Sequence, residues 1–448
     1  MADTTRTTSS APAPAGWPLL GNLPALARNP LAFFDRLRDL DADLVSWRLG
    51  GQQCVFVTRP SLIIELLGSV ERSFTNAEFG PMFRALLGES VVVSRGDAWR
   101  RKRSLIQPAL RPRQVREFAP IMVDTAEEMA ESWTPGERID VLSEMSRLTQ
   151  RIVLRTLFGV ERGGRELAIG RAMDTGQRAV AAEFRGLSAL LPPWVPTPGR
   201  RRLHSAVAIL DSEIDRIVAE RAPTADSDPS VVGRLLAVRD EQGEALDHVE
   251  VRDELKTLYV AGHETTSSTL TWTWYLLGRH PEARERMLAE LTRVVGDRPP
   301  AYTDLPALTW TQQVVKESMR LFPAVWFTLA AAPKQTRLGG VDIPAGTQMW
   351  ISQWALHRDP RLYDEPAEFR PERWDPEART PVPDHAWLPF GAGPRACLGG
   401  RFAQVEAALV LAALARRRHL ELDPRPVKPT PSLNLRPSPP LRATVRTR

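Results

Sequence analysis

From about residue 60 to residue 320, apolar residues recur at three- and four-residue spacing, the period of helices with one buried face. The clearest stretches, 97–110, 115–132, 139–158, 201–221, 248–279 and 281–295, are predicted as helices, and a shorter one covers Leu31–Asp39. Gln52–Thr58 alternates instead, as a strand does, and Cys54 within it reads as a small buried hydrophobe. Beyond residue 322 the pattern turns to short strands, prolines and turns. Gly339–Ser352 is predicted as two strands joined at Pro344-Ala-Gly-Thr347, and a last helix at 399–418 precedes a Pro- and Arg-rich tail. The reading is a mainly α protein with a minor β portion. Residues 1–15 are predicted as a flexible leader, and 16–448 as a single domain.

Composition narrows the class. Apolar residues make up 43% of the chain and charged residues 25%, as in globular proteins, and no apolar run is long enough to span a membrane. A net charge of +5 does not by itself call for nucleic acid. Two distant cysteines cannot make a disulfide framework, so the chain reads as cytoplasmic.

The chemistry concentrates around Cys397. Gly391, Gly393, Gly399 and Gly400 surround it, which lets the backbone approach something flat and bulky. It stands just before an apolar helix, whose N-terminal dipole favours a thiolate. Arg395, two residues upstream, is placed for a carboxylate partner. Ala261-Gly-His-Glu-Thr-Thr266 puts an acid and an alcohol inside the long 248–279 pattern, where a threonine can bond back to a carbonyl and open the helix. Glu317 and Arg320 share a helical face, and Trp99 and Arg103 share another.

Phe390, Gly393, Arg395, Cys397 and Gly399 fit the pattern Phe-x-x-Gly-x-Arg-x-Cys-x-Gly, and with the other segments in order the chain resembles the cytochrome P450 family. The resemblance implies that fold and a haem b cofactor whose iron takes Cys397 as ligand. It implies cofactor contacts at Trp99, Arg103, Ala261, Phe390, Gly391, Arg395 and Gly399. Thr265 steadies iron-bound dioxygen, Glu264 helps deliver protons, and Glu317, Arg320 and Arg373 form a buried salt-bridge network. The implied reaction inserts one oxygen atom from O2 into a lipophilic small molecule. The pocket draws on the 75–95 loop, the 165–200 region, 258–266 and 324–330, including Trp326. With only 51 residues after Cys397 (448 − 397), electrons are expected from a separate ferredoxin or flavodoxin with its reductase. An acidic carrier would dock beside the basic run Arg100–Arg103, and Arg416–His419 either extends that face or complements a helix terminus. Relatives usually carry arginines for the haem propionates where this chain has Ala330 and Ala331, so that work is expected either to fall on Arg103 and Arg395 or to use a different contact. His357 is read as structural. The alternatives are a peroxide-driven or redox-neutral haem-thiolate enzyme and a non-catalytic haem-binding protein. The presence of Glu264 and Thr265 weighs against both.

Overall fold

The computed structural model describes residues 9–12, 15–76, 81–160, 164–185 and 195–448. Helices dominate, and the longest, His248–Arg279, runs through the core and packs against Val141–Phe158, Pro198–Arg221, Thr309–Leu321 and Gly400–Arg417. Its ends follow from local chemistry. The Asp247 side chain accepts the Glu250 N–H and Glu250 reaches back to the Asp247 N–H, closing a capping box. Pro281 prevents continuation beyond His280. Because residues on nearly every side of this central helix are buried, it lacks the single apolar stripe of a surface helix.

A six-stranded sheet flanks the helices, in the order Ser10–Pro12, Leu44–Leu49, Gln52–Val57, Gln348–Ile351, Thr328–Ala331, Thr75–Asn76. The first strand lies in the segment expected to be an unpacked leader. It pairs in parallel with Leu44–Ser46, and Ser9 and Asp43 exchange backbone and side-chain hydrogen bonds beside it. The two strands expected to pair across Pro344–Thr347 are not partners. Val341–Ile343 pairs with Thr336–Leu338 through Gly339 and Gly340, whose φ values of 57° and 82° suit a two-residue hairpin turn. Gln348–Ile351 goes to the larger sheet, between Gln52–Val57 and Thr328–Ala331, which buries Met349, Trp350 and Ile351. The tail is ordered into strands: Lys428–Pro431 pairs with Leu435–Ser438, and Arg442–Thr447 pairs with Arg418–Leu422 and Arg138–Asp140.

Glu317 and Arg320 are fully buried and bonded twice, at 2.8 and 2.9 Å. Arg373 Nε adds a bond to Glu317 at 2.9 Å, Trp374 Nε1 another at 2.9 Å, and the Arg370 N–H a fourth donor at 3.0 Å. Arg320 also donates to the carbonyls of His357, Pro366 and Glu368, so the expected network extends into a long meander. His357 is buried, accepting the Leu388 N–H at Nε2, and burial followed by the charges of Arg320 and Arg358 lowers its pKa to about 3. Its structural reading agrees with this placement. The basic run closes the last helix, with Arg416 and Arg417 in its final turn as the helix-terminus expectation has it, and it also holds a neighbouring helix. Arg416 and Arg417 bond Glu127, pinning that helix to Pro112–Ser132.

Two outcomes follow. Glu317→Gln leaves two buried arginines without a counter-charge, and should lower unfolding free energy by about 3–5 kcal/mol in a denaturant titration. As pH falls below about 6.5, an unfolded His357 takes a proton that the folded one refuses, so stability is present above that pH and lost below it. The loss should approach about 1.4 kcal/mol per pH unit for this histidine, and His357→Gln should remove that share of the slope.

Candidate functional site

The cysteine loop is shaped by its own backbone and by what it presses against. The Cys397 N–H donates to the Phe390 carbonyl (2.9 Å), and the Ala396 N–H to that of Gly393 (3.1 Å). Gly391 and Gly393 have φ values of 66° and 70°, which only glycine adopts easily. A Cβ at Gly393 would sit 2.3 Å from the Leu67 carbonyl oxygen, so the loop lies directly on the Pro60–Gly68 helix. The other side is open among the described residues: there a Cβ at Gly391 would meet nothing within 4 Å, and at Gly399 only the Cys397 sulfur, at 4.0 Å. Cys397 has accessible surface although protein surrounds it closely. Burial raises its pKa, opposed by a hydrogen bond from the Gly399 backbone and by the positive charge of Arg103. Accessible surface in so enclosed a position, together with the space beside Gly391 and Gly399, leaves an opening next to the cysteine.

Trp99 and Arg103 project from one face of the Gly96–Ile106 helix, as their spacing predicts, with the guanidinium 5.8 Å from the indole centroid. Arg103 donates to the Ala396 carbonyl at 2.9 Å, beside the cysteine. Arg395 has found a carboxylate, but a protein one. It bonds Glu71 through Nε (3.0 Å) and Nη2 (2.5 Å), and the carbonyls of Val91 and Ser94 take further donors. Of the basic run, only Arg100 is a solvated cation, paired with Asp97. Arg101 bonds Asp240 and Glu250, and Lys102 is buried against the Glu89 carbonyl. Ala330 is buried in strand pairing opposite Asn76, leaving no room for an arginine.

On the central helix, Ala261 and Thr265 form one stripe, and both keep accessible surface within an otherwise buried element. Thr265 Oγ1 donates to the Ala261 carbonyl at 2.6 Å, the expected back-bond. Glu264 lies on the neighbouring stripe. It accepts Asn434 Nδ2 at 3.1 Å and pairs with Arg436, both from the C-terminal hairpin. With His263, Ser267 and Gln177 these residues line a polar cavity of about 310 Å³ behind the helix. His263 is buried there, which lowers its pKa to about 4.

Around the opening, residues 77–80 and 186–194 of the expected pocket segments lie outside the described residues. Trp326 does not line it. Its indole packs among Phe34, Phe327 and the other aromatics of the N-terminal sheet and donates to the Ser432 carbonyl at 2.9 Å. One group escaped the sequence reading, because nothing local marks it. Glu406, fully buried on the Gly400–Arg417 helix, faces the Thr266 hydroxyl, and neither completes a hydrogen bond among the described residues. Burial pushes its carboxyl up to about 8.

An acid whose folded pKa is raised stabilises the fold fully below its unfolded value and loses that contribution as pH rises towards the folded one. Stability should therefore fall between about pH 4.5 and 8 on account of Glu406. Glu406→Gln should flatten that fall, read from denaturant midpoints across the range.

The cytochrome P450 family model matches residues 11–445. A cyclooctatin synthase from Streptomyces melanosporofaciens is 35% identical over 97% of this chain and 93% of its own length. Cyclooctat-9-en-7-ol 5-monooxygenase from the same organism is 37% identical over 92% of this chain and 90% of its own length. Pentalenene oxygenase from Streptomyces avermitilis is 30% identical, over 92% and 91%. The cofactor of the family is haem b, and the residues present suit it: an accessible cysteine, glycines beside it with free space, and an arginine on the adjoining helix. With the match running through nearly the whole sequence and its relatives named as oxygenases, the chain belongs to the cytochrome P450 family, and it is a monooxygenase.

Proposed function

We propose that this monooxygenase oxidises a lipophilic, terpene-like small molecule, with Cys397 as the sulfur ligand of its haem iron. The observation that carries the reading is the enclosed yet accessible sulfur of Cys397 at the start of an apolar helix, with Arg103 alongside. Both the helix dipole and the arginine charge favour the thiolate. Haem b, when bound, supplies the iron at which dioxygen is activated. Trp99 and Arg103 would hold it from one helix, Phe390, Gly391 and Gly399 from the loop, and Ala261 from the central helix. Arg395 would brace the loop through Glu71 and two carbonyls, bonds that take four of its five N–H donors and leave one on Nη1 for the cofactor.

The protein's part in the reaction is proton handling. The Thr265 hydroxyl gives its hydrogen to the Ala261 carbonyl and keeps lone pairs open towards the site. Rotation about the Cβ–Oγ1 bond would free the same hydrogen for donation into the site. Glu264, held by Asn434 and Arg436 at the polar cavity, is placed to pass protons from that cavity to the Thr265 side of the helix. The terpene preference rests on the relatives named for cyclooctat-9-en-7-ol and pentalenene. Electrons would come from a ferredoxin or flavodoxin with its reductase, and Arg100, Arg111 and Arg116 are exposed cations available to an acidic carrier.

The reduced protein under carbon monoxide should show the red-shifted thiolate-type Soret band, and an unshifted band would defeat the assignment of Cys397. A binding-spectrum screen of terpenoids, fatty acids and steroids should favour polycyclic terpenes. Thr265→Ala should retain that binding while product formed per electron pair drops several-fold, on the order of the 10²-fold scale of a lost proton-transfer group at most. Turnover with peroxide but not with oxygen and reductant would move the enzyme to the peroxide-driven class.

A further inference from the structure

Glu71 belongs to the short turn after the Pro60–Gly68 helix, far in sequence from any segment that marks the site. Its φ of 75° is left-handed, a conformation that a glutamate holds only when its surroundings require it. The surroundings are specific. The side chain is almost entirely buried, and its two oxygens serve different segments. Oε2 accepts the Gly96 N–H (2.7 Å) at the first residue of the helix bearing Trp99 and Arg103, where the helix dipole favours an anion. Oε1 accepts Arg395 Nε and Nη2 from the cysteine loop.

Arg395 in turn lies 4.5 Å from the Trp99 ring centroid, on the same indole that Arg103 approaches. Its remaining contacts, to the Val91 and Ser94 carbonyls, fasten the segment leading into the tryptophan helix. One carboxylate thus ties together the turn, the helix start and the loop, and it is the counter-charge of a cation two residues from Cys397. We propose that Glu71 is a positioning residue for the cysteine loop, acting through Arg395 to fix the loop and to offset the positive charge nearest the sulfur in sequence. The proposal rests on the reading of Cys397 as the haem ligand.

Its electrostatic consequence has a sign. Reduction adds negative charge at the iron, so an uncompensated Arg395 would favour the reduced state, and Glu71 therefore holds the potential more negative. A role confined to packing would alter haem retention without moving the potential of the folded holoprotein in a charge-dependent way. The test is a spectroelectrochemical titration of the holoprotein and its Glu71→Gln and Glu71→Asp variants, after each has been checked for the red-shifted carbon monoxide band. Glu71→Gln should shift the ferric–ferrous midpoint to more positive values. Glu71→Asp, which keeps the charge with a shorter reach, should retain the midpoint but lose the shifted band faster on warming. If the unsubstituted protein lacks the shifted band, it is the Cys397 assignment that fails. Where the band is present, a Glu71→Gln midpoint equal to that of the unsubstituted protein overturns the role of Glu71. If Glu71→Gln yields no holoprotein, a Glu71→Asp variant that loses the band no faster than the unsubstituted protein does the same.

Discussion

A carboxylate with no access to water has to be matched inside the protein, and Glu317 is matched from four directions by Arg320, Arg373, Trp374 and the Arg370 N–H. What depends on it lies further along the chain. Arg320, held by Glu317, grips the His357 carbonyl, and the His357 ring accepts the Leu388 N–H. Tyr363 adds a bond to the Ala386 carbonyl. Two residues after Leu388 comes Phe390, whose carbonyl receives the Cys397 N–H. The sulfur is thus positioned by a sequence of buried hydrogen bonds that begins at an ion pair with no role in chemistry. Such a pair adds little net stability relative to apolar packing, but it defines one arrangement, since any other strands a buried charge.

The central helix meets the opposite difficulty, being rich in polar residues yet buried. Several of these satisfy themselves: the hydroxyls of Thr265, Thr269, Thr271 and Thr273 each bond a carbonyl four residues back. Ser268 and Trp272 reach the Leu435 carbonyl and so fasten the C-terminal hairpin against the helix. That attachment delivers Asn434 and Arg436 to Glu264, the one residue of the acid–alcohol pair that could not be satisfied within its own helix. The hairpin, which in sequence is only a Pro- and Arg-rich tail, is in this way part of the site.

What could be read in the sequence was local, and what could not was distant. The central helix was legible at both ends because Asp247, Glu250 and Pro281 act within a few residues of the termini they set. The glutamate–arginine network was legible because Glu317 and Arg320 lie one helical turn apart. By contrast, Arg436 meets Glu264 across 172 positions and Arg395 meets Glu71 across 324, separations at which no periodicity operates. The same limit explains the strand misread near Pro344. Gly339-Gly340 supplied a complete local hairpin signal, and the buried run Met349–Ile351 needed partners from elsewhere in the chain. Arg101 and Lys102 read as part of a basic docking run for the same reason, since their carboxylate and carbonyl partners are remote.

The alanines at 330 and 331 bring these constraints together. Their strand sits between Gln348–Ile351 and the two-residue strand Thr75–Asn76, with Ala330 inside a core that includes Leu66, Phe74 and Met349. A long cation there would have to leave that core or carry charge into it, so small residues are what the packing permits. The Asn76 carbonyl beside them already accepts a bond from Arg95, and its side chain bonds the Val92 carbonyl, so this edge also restrains the segment entering the tryptophan helix. Cationic character around the cysteine loop is consequently concentrated on that helix and on Arg395. Since Glu71 offsets Arg395, Arg103 is the arginine whose charge acts on Cys397 without a carboxylate bonded to it among the described residues.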